Sequence, residues 1–234
     1  MIVDSKRHAQ PRPSAAGLAR QRTVERLSVP ARAALVLVAC LALGGCSVLD
    51  KPVRAAVYDF GPGALAPAAP TASAALPALT LAEVDSGSAL DSTAVLYRLV
   101  YANAQQLLPY SQARWSMPPA QLLRQRVRET LGQHRTVLAP GDGSVAGSQP
   151  AMLLRIELEE FSQLFEAPAK SVGLLRLRAT LVQPAGGGDK ILGQRMVVVQ
   201  RPAPSADAPG AVRALTDASV SAAEEIDQWL NQFR

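Results

Sequence analysis

The residue types that most often carry chemistry are sparse and unevenly placed in this 234-residue sequence. Both cysteines, Cys40 and Cys46, lie in the first 46 residues, so the rest of the sequence holds no disulfide framework and no cysteine-based metal site. His134 is the one histidine after residue 45, and its place at the end of a predicted helix fits a structural role beside the helix dipole. Cys46 is therefore the residue whose surroundings most clearly indicate a reaction.

Two other motifs that resemble catalytic groups have structural interpretations. Glu157 and Glu159 alternate along a predicted strand, which places them on one solvated face rather than in a site. Gly186-Gly187-Gly188 lacks the following Lys-Ser or Lys-Thr of a phosphate-binding loop and lies between two predicted strands. No serine sits in a Gly-x-Ser-x-Gly turn. The sequence predicts no enzymatic activity, no catalytic residue, no metal site and no cofactor.

A basic lead and an apolar run precede Cys46. Arg26 and Arg32 lead into eleven apolar residues, 33–43, which Gly44, Gly45 and Cys46 follow. This order is typical of a secretory signal. The uncharged stretch 33–49 has 17 residues, whereas a membrane-spanning helix needs about 20, so a permanent transmembrane anchor is marginal.

The segment Leu43-Gly44-Gly45-Cys46 resembles the bacterial lipobox. In such signals the cysteine thiol is diacylated and the peptide bond before it is cut. The resemblance implies lipidation of Cys46, cleavage between Gly45 and Cys46, and loss of residues 1–45 as a signal peptide. Cys40 after Leu37-Val38-Ala39 competes, although it leaves only about seven apolar residues after Arg32.

The net charge of +5 comes entirely from the N-terminal segment. Residues 1–45 contain seven of the 24 Lys and Arg and two of the 19 Asp and Glu, which leaves 17 of each sign in residues 46–234. Because the charges of residues 46–234 cancel, this part of the chain has no net charge that would attract nucleic acid or an anionic membrane face. The basic lead is long for a signal, so the true first residue, Met1, Val24 or Val29, stays open on sequence grounds.

Residues 55–234 are predicted to form one α/β domain of the α+β kind, joined to Cys46 by the acylated tether 46–54. The expected architecture is one mixed, mostly antiparallel sheet of about six to seven strands with two main helices packed on it. An Ala- and Pro-rich segment at 61–77 is predicted to be a disordered loop. The predicted helices begin at Ser116, as the cap, and near Ala211. The predicted strands are 55–60, 78–84, 93–101, 137–139, 151–165, 174–182 and 191–201.

Alternation along the last three strands predicts which side chains are buried. Outward acids at Glu157 and Glu159 face outward arginines at Arg176 and Arg178, which predicts cross-strand ion pairs worth about 0.2–1 kcal/mol each. In the last helix one stripe is apolar, and the acids of that helix are expected to face water. The expected solvent-facing acids are Glu224, Glu225 and Asp227.

Amphipathic aromatic residues are the candidates for contact with a partner, because such rings contribute strongly to binding energy. They are Tyr97, Tyr101, Tyr110 and Trp115. For Tyr97 and Trp115 the alternative is packing inside the domain. For Tyr97 the sequence leaves both interpretations open, whereas for Trp115 the simplest interpretation is a core anchor.

A family resemblance rests on several of these residues. Tyr97–Tyr101, Leu108–Tyr110 and Arg114–Pro119, in this order after Tyr58-Asp59-Phe60, resemble the ABC-type transport auxiliary lipoprotein component family, which includes the paraquat-inducible lipoprotein C group. The similarity covers roughly residues 46–234. Two features depart from the pattern, the Ala- and Pro-rich insert and the long basic lead.

The resemblance implies a non-enzymatic lipoprotein on the periplasmic face of the outer membrane. It would dock the periplasmic MCE (mammalian cell entry) protein of an ABC transporter that moves lipids or other apolar molecules between membranes. Ser47 is not Asp, which in families of this kind favours release to the outer membrane. A homo-oligomer stays open. The alternatives are an envelope assembly or maintenance lipoprotein with other partners, and a periplasmic hydrolase, for which no nucleophile has a base.

Overall fold

One mixed β-sheet dominates the computed structural model, which describes residues 54–63, 76–142 and 150–233. The strands are β1 Ala56–Tyr58, β2 Leu76–Ser86, β3 Ala94–Leu99, β4 Leu108–Trp115, β5 Arg135–Leu138, β6 Met152–Ala167, β7 Lys170–Gln183 and β8 Lys190–Pro202. The helices are α1 Val100–Asn103, α2 Pro119–Leu131 and α3 Ala208–Leu230, with a 3₁₀ turn at Ser88–Leu90. The prediction of one mixed sheet with two main helices is confirmed.

The 16-residue strand β6 organises the sheet. Along one edge it pairs antiparallel with β7, which pairs antiparallel with β8. Along its other edge lie β2 and then β3, end to end and both parallel to β6. β5 adds to β2, and β4 followed by β1 adds to β3. Within the described residues four of the seven strand pairings are therefore parallel, although the two longest are antiparallel.

The alternation predicted for β6 and β7 is confirmed, because the apolar positions are buried and the charged positions between them face away from the core. The two longer helices bury their apolar stripes in the same core cluster as these strand residues. The buried residues of these stripes include Leu123 and Val127 of α2, and Leu215, Ile226 and Trp229 of α3.

The long helix α3 begins where the sequence supplies a cap. Asp207 is the N-cap residue, and its carboxylate accepts a hydrogen bond from the Gly210 amide at 2.8 Å. The hydroxyl of Ser205 and this backbone bond hold the pKa of Asp207 below its usual range. By contrast, α2 is not capped by Ser116 as predicted. Pro118 is its N-cap residue and Pro119 its first helical residue, a position where a missing amide costs little.

Glycines let α3 approach the sheet closely. A Cβ atom built on Gly173 would lie 2.9 Å from the backbone carbonyl carbon of Ala214 and 2.9 Å from the Leu215 amide nitrogen. A Cβ on Gly193 would lie 2.8 Å from the ring of Phe233. Any larger side chain at Gly173 would meet helix backbone, so this strand residue fixes the distance between α3 and β7.

Several element boundaries differ from the predictions. The strand predicted at 93–101 ends at Leu99, and Tyr101 lies in α1. Strand β4 was not predicted, because the alternation of its more buried residues shifts by one position at Ser111 and Gln112. β2 already begins at Leu76, inside the segment predicted as the Ala- and Pro-rich loop, of which residues 64–75 lie outside the described residues.

Candidate functional site

Trp115 is a core residue. Its side chain is only 2% exposed, and its ring lies 5.6 Å from that of Phe60 and 5.7 Å from that of Phe161, measured between centroids. The hypothesis that Trp115 contacts a partner is therefore corrected, because the ring is enclosed by aromatic neighbours from β6 and from the segment after β1. Tertiary packing between distant segments decides this burial, and no local pattern reveals it.

Tyr110 is anchored inside the fold. Its hydroxyl donates a hydrogen bond to Gln163 Oε1 at 2.6 Å, and its ring lies 4.6 Å from that of Tyr97. Burial is the main cause that raises the Tyr110 pKa, and the nearby Tyr97 and Asp207 add to the effect. Gln163 is fully buried and donates in turn to Ser171 Oγ at 2.7 Å. Both tyrosines are half-buried, so they offer a partner only part of each ring.

Tyr101 is the most exposed of the four candidate aromatic residues. It is 50% exposed and follows Val100, which is 41% exposed, so the short helix α1 presents two adjacent apolar side chains to the outside. Scattered surface apolar residues are common, but an adjacent exposed aromatic and aliphatic pair is a plausible contact point. A contact role for Tyr101 stays a prediction.

Arg98 fixes the segment that carries Tyr101. One guanidinium nitrogen, Nη1, donates to the carbonyl oxygens of Ala104 and Gln105, which directly follow α1, at 3.3 Å each. On its other side Arg98 Nη2 lies 3.0 Å from Glu160 Oε2. Ser162 Oγ donates to the second oxygen of Glu160 at 2.6 Å. Arg98 thus ties the backbone after α1 to a buried carboxylate of β6.

The cross-strand ion pairs predicted between β6 and β7 are present. Glu159 lies 2.7 Å from Arg178 and 3.0 Å from Arg176, and Glu157 lies 3.8 Å from Arg178. These groups form a charged ladder on a solvated face, as the alternation indicated. Such exposed pairs add at most about 1 kcal/mol each and carry no catalytic geometry.

The prediction that Asp227 faces solvent is wrong. It is buried rather than solvent-facing, and it lies 3.0 Å from His134 Nδ1 and 3.6 Å from Arg135 Nη2. Burial lowers the pKa of Arg135, and Asp227 opposes that effect. The sequence contained a signal, because Asp227 falls one turn after the buried Ala223 and one turn before Leu230 on the α3 stripe. His134, which lies in the turn after α2, therefore contacts a carboxylate of α3.

A groove of about 1010 Å³ runs between α2 and α3 beside this pair. The charged side chains in its lining are those of Arg126, Arg128, Glu129, Glu224 and Asp227, with His134 beside them. Arg126 and Glu129 pair with each other at 3.1 Å. Within residues 54–63, 76–142 and 150–233, no three His, Cys, Asp or Glu side chains are placed to hold a metal ion.

The predicted lipidation site, Cys46, lies outside the described residues, as do the cleavage position at Gly45 and the proposed signal segment. Among the helices that the structure describes, none is long and apolar enough to cross a membrane.

Residues 58–227 match the family of the ABC-type transport auxiliary lipoprotein component, and the chain belongs to this family. That span contains the aromatic core, the Arg98–Glu160 pair and nearly all of the sheet. The resemblance identified from the residues around Trp115 is thereby confirmed. The chain is an auxiliary lipoprotein component of a transport system, a class named for association with an ABC transporter.

Solved structures share the fold. Protein XCC0632 from Xanthomonas campestris, assigned to DUF330, is 18% identical with a TM-score of 0.59, over 74% of this chain and 94% of that one. An uncharacterized protein is 13% identical with a TM-score of 0.53, over 76% of this chain and 99% of that one. At these identities the likeness is one of fold alone. No curated protein matches this chain.

Proposed function

We propose that this protein docks the periplasmic MCE-type protein of an ABC transporter to the outer membrane, and that the system moves lipids or other apolar molecules between membranes. The observation that carries the proposal is the family match across residues 58–227, a family of transport auxiliary lipoproteins. In this role the protein supplies attachment and position, and it turns over no substrate.

The anchor in this proposal is the acylated Cys46. Nine residues, 46–54, lead from the lipid to the start of the described body, and an extended chain of that length reaches about 30 Å. Acyl chains contribute about 0.8 kcal/mol per buried methylene, so several chains together give stable attachment. A tether this short would hold the domain close to the membrane face while leaving it free to meet a periplasmic partner.

Recognition in this proposal rests on apolar anchors. The 17 basic and 17 acidic residues of segment 46–234 cancel, so no net field steers a partner. The exposed pair Val100 and Tyr101 is the contact candidate, and Arg98 holds the adjacent backbone in place. Rigid presentation lowers the entropy that a contact residue loses on binding.

Binding to the transporter component tests the proposal. The full chain, purified in detergent micelles, is mixed with the purified periplasmic domain of an MCE protein from the same organism, at low and high salt. We expect binding at both, and a loss of about tenfold or more for Tyr101→Ala. Val57→Ala, another exposed apolar side chain on β1, is the matched control and should leave binding unchanged.

Two different results would contradict two different parts of the proposal. Binding that disappears at moderate salt would contradict the apolar-anchor account, because screening removes charge–charge attraction. A folded partner that fails to bind at every salt concentration would remove the MCE docking role. That result would favour the alternative, an envelope assembly or maintenance lipoprotein with different partners.

A further inference from the structure

The outermost strand β8 is long and is paired along one edge. Among the described residues it pairs with β7 alone, over nearly all of its 13 residues. An unpaired edge presents a row of backbone amides and carbonyls that can form hydrogen bonds with another extended chain. Natural proteins usually protect such edges by keeping them short or by placing charged side chains along them. β8 is long, and its residues 196–200 carry no charge.

Exposed apolar side chains are concentrated on this strand. Of the six large hydrophobic side chains that are strongly exposed within the described residues, three belong to β8. Ile191 is 65% exposed, Met196 is 44% exposed and Val198 is 51% exposed. An apolar, exposed edge strand without a partner is a site where another strand would be stabilised both by backbone hydrogen bonds and by burial.

A groove flanks the same edge. It has a volume of about 590 Å³ and lies between β8 and α3, where it is lined by Arg195 and Arg201 of β8 and by Ser221 and Glu224 of α3. Strand addition in known recognition domains uses this arrangement, in which an extended segment lies beside an edge strand and against a neighbouring element. The groove gives alternate side chains of such a segment a place to lie.

The charges of β8 define the chemistry of the segment. The strand contains Lys190, Arg195 and Arg201 and no acidic residue. Arg195 is neutralised by Glu225 of α3, with Nη2 to Oε1 at 2.7 Å. Within the described part of the chain, Lys190 and Arg201 make no ion pair, and Arg201 bonds only the neutral hydroxyl of Ser221. Two cations near the two ends of the edge therefore lack an anionic partner.

We propose that the β8 edge binds an extended segment of a partner protein in which apolar residues alternate with acidic ones. Acidic side chains would pair with Lys190 and Arg201, and apolar ones would cover Met196 and Val198. A second copy of β8 fits less well, because it would bring three further basic residues and no acid to the same edge.

Two defined peptides test this proposal without any transporter component, so the result is independent of the proposed function. Each is about ten residues long, the length of a long strand. One alternates valine with glutamate and the other alternates valine with lysine. With the full chain in detergent micelles, fluorescence anisotropy should show the acidic peptide binding at least tenfold more tightly. Hydrogen exchange should slow at amides of β8 and not at those of β1.

Charge reversal locates the site. The double variant K190E/R201E should reverse the order of the two peptides, and the milder K190Q/R201Q should abolish the preference. Arg128→Glu, on α2 in the groove between α2 and α3, is the matched control and should leave the order unchanged. Equal affinities for the two peptides, no saturable binding of the acidic one, or a preference that survives K190E/R201E would each overturn the proposal. Self-association of the chain through β8 would do the same.

Discussion

Arg98 on β3 and Glu160 on β6 form an ion pair through two contacts, Nη2 to Oε2 at 3.0 Å and Nε to Oε1 at 3.4 Å. The two residues are 62 positions apart in the chain, and Glu160 is buried. The pair joins the part of the sheet around β3 to its central strand, and through Ala104 and Gln105 it also fixes the backbone after α1.

Arg98→Ala should lower the free energy of unfolding by roughly 2–4 kcal/mol, because it leaves the Glu160 carboxylate buried without its cation. Urea denaturation measures the effect. Arg155→Ala is the matched control, since its pair with Asp189 is exposed, and it should cost at most about 1 kcal/mol. The double variant R98M/E160L should be more stable than Arg98→Ala. Equal losses for Arg98→Ala and Arg155→Ala would show that the buried pair has no special role.

Gly173→Ala should destabilise the domain by about 1–3 kcal/mol, because the added methyl group meets the backbone of α3 at Ala214 and Leu215. Thermal unfolding followed by circular dichroism gives the shift of the midpoint. Gly187→Ala, in the turn between β7 and β8, has nothing within 4 Å of its added Cβ and should leave the midpoint nearly unchanged. A neutral Gly173→Ala would mean that α3 can move away from the sheet at little cost.

Tyr110→Phe should cost about 1–3 kcal/mol, since it leaves Gln163 Oε1 buried without its donor. Tyr101→Phe, an exposed tyrosine, is the control and should change nothing. Urea denaturation at neutral pH compares the two variants. If Tyr110→Phe proves as neutral as Tyr101→Phe, the hydroxyl bond contributes no net stability.

The stability of the protein should also fall at alkaline pH. The folded state raises the pKa of Tyr110 above the ordinary tyrosine value of about 10, so above that pH the unfolded chain loses the proton while the folded chain keeps it. The stability that depends on keeping Tyr110 protonated is fully present below pH 10 and is lost as the pH rises further. The decline between neutral pH and pH 10.5 or above should be smaller for Tyr110→Phe than for the unchanged protein. Parallel declines would contradict the raised pKa.

Lipidation is tested by metabolic labelling with palmitate. Cys46→Ala should abolish the label and leave residues 1–45 attached, whereas Cys40→Ala should retain it. Labelling that persists in Cys46→Ala and disappears in Cys40→Ala would move the modified residue to Cys40.

Sequence patterns predict this fold well where a strand has one solvent-exposed face and one buried face. The alternation in β6 and β7 gave their buried residues and the pairs of Glu159 with Arg176 and Arg178. Strand β4 was missed because its exposed residues do not alternate regularly with buried ones, and it is held by β1 on one edge and β3 on the other.

The candidate contact residues could be predicted only in part, because burial of an isolated aromatic depends on distant segments. Phe60 and Phe161 enclose Trp115, and neither is near it in the chain. Asp227 was predicted to face solvent for the same reason, since its partners His134 and Arg135 come from the turn after α2 and from the start of β5. Composition identified Tyr101 as a candidate, but only the structure separates it from the buried aromatic residues.

The placement of β2 and β3 along one edge of β6 has a consequence for the order of folding. Both strands are synthesised before Met152, yet each relies on β6 for the neighbour along one of its edges. Contacts between segments so far apart in the chain close slowly, because the intervening loop loses entropy before the pairing stabilises it. A nascent chain that ends before Met152 therefore holds two apolar strands that each lack the neighbour on one edge. Such a chain is the species most exposed to aggregation and to capture by chaperones.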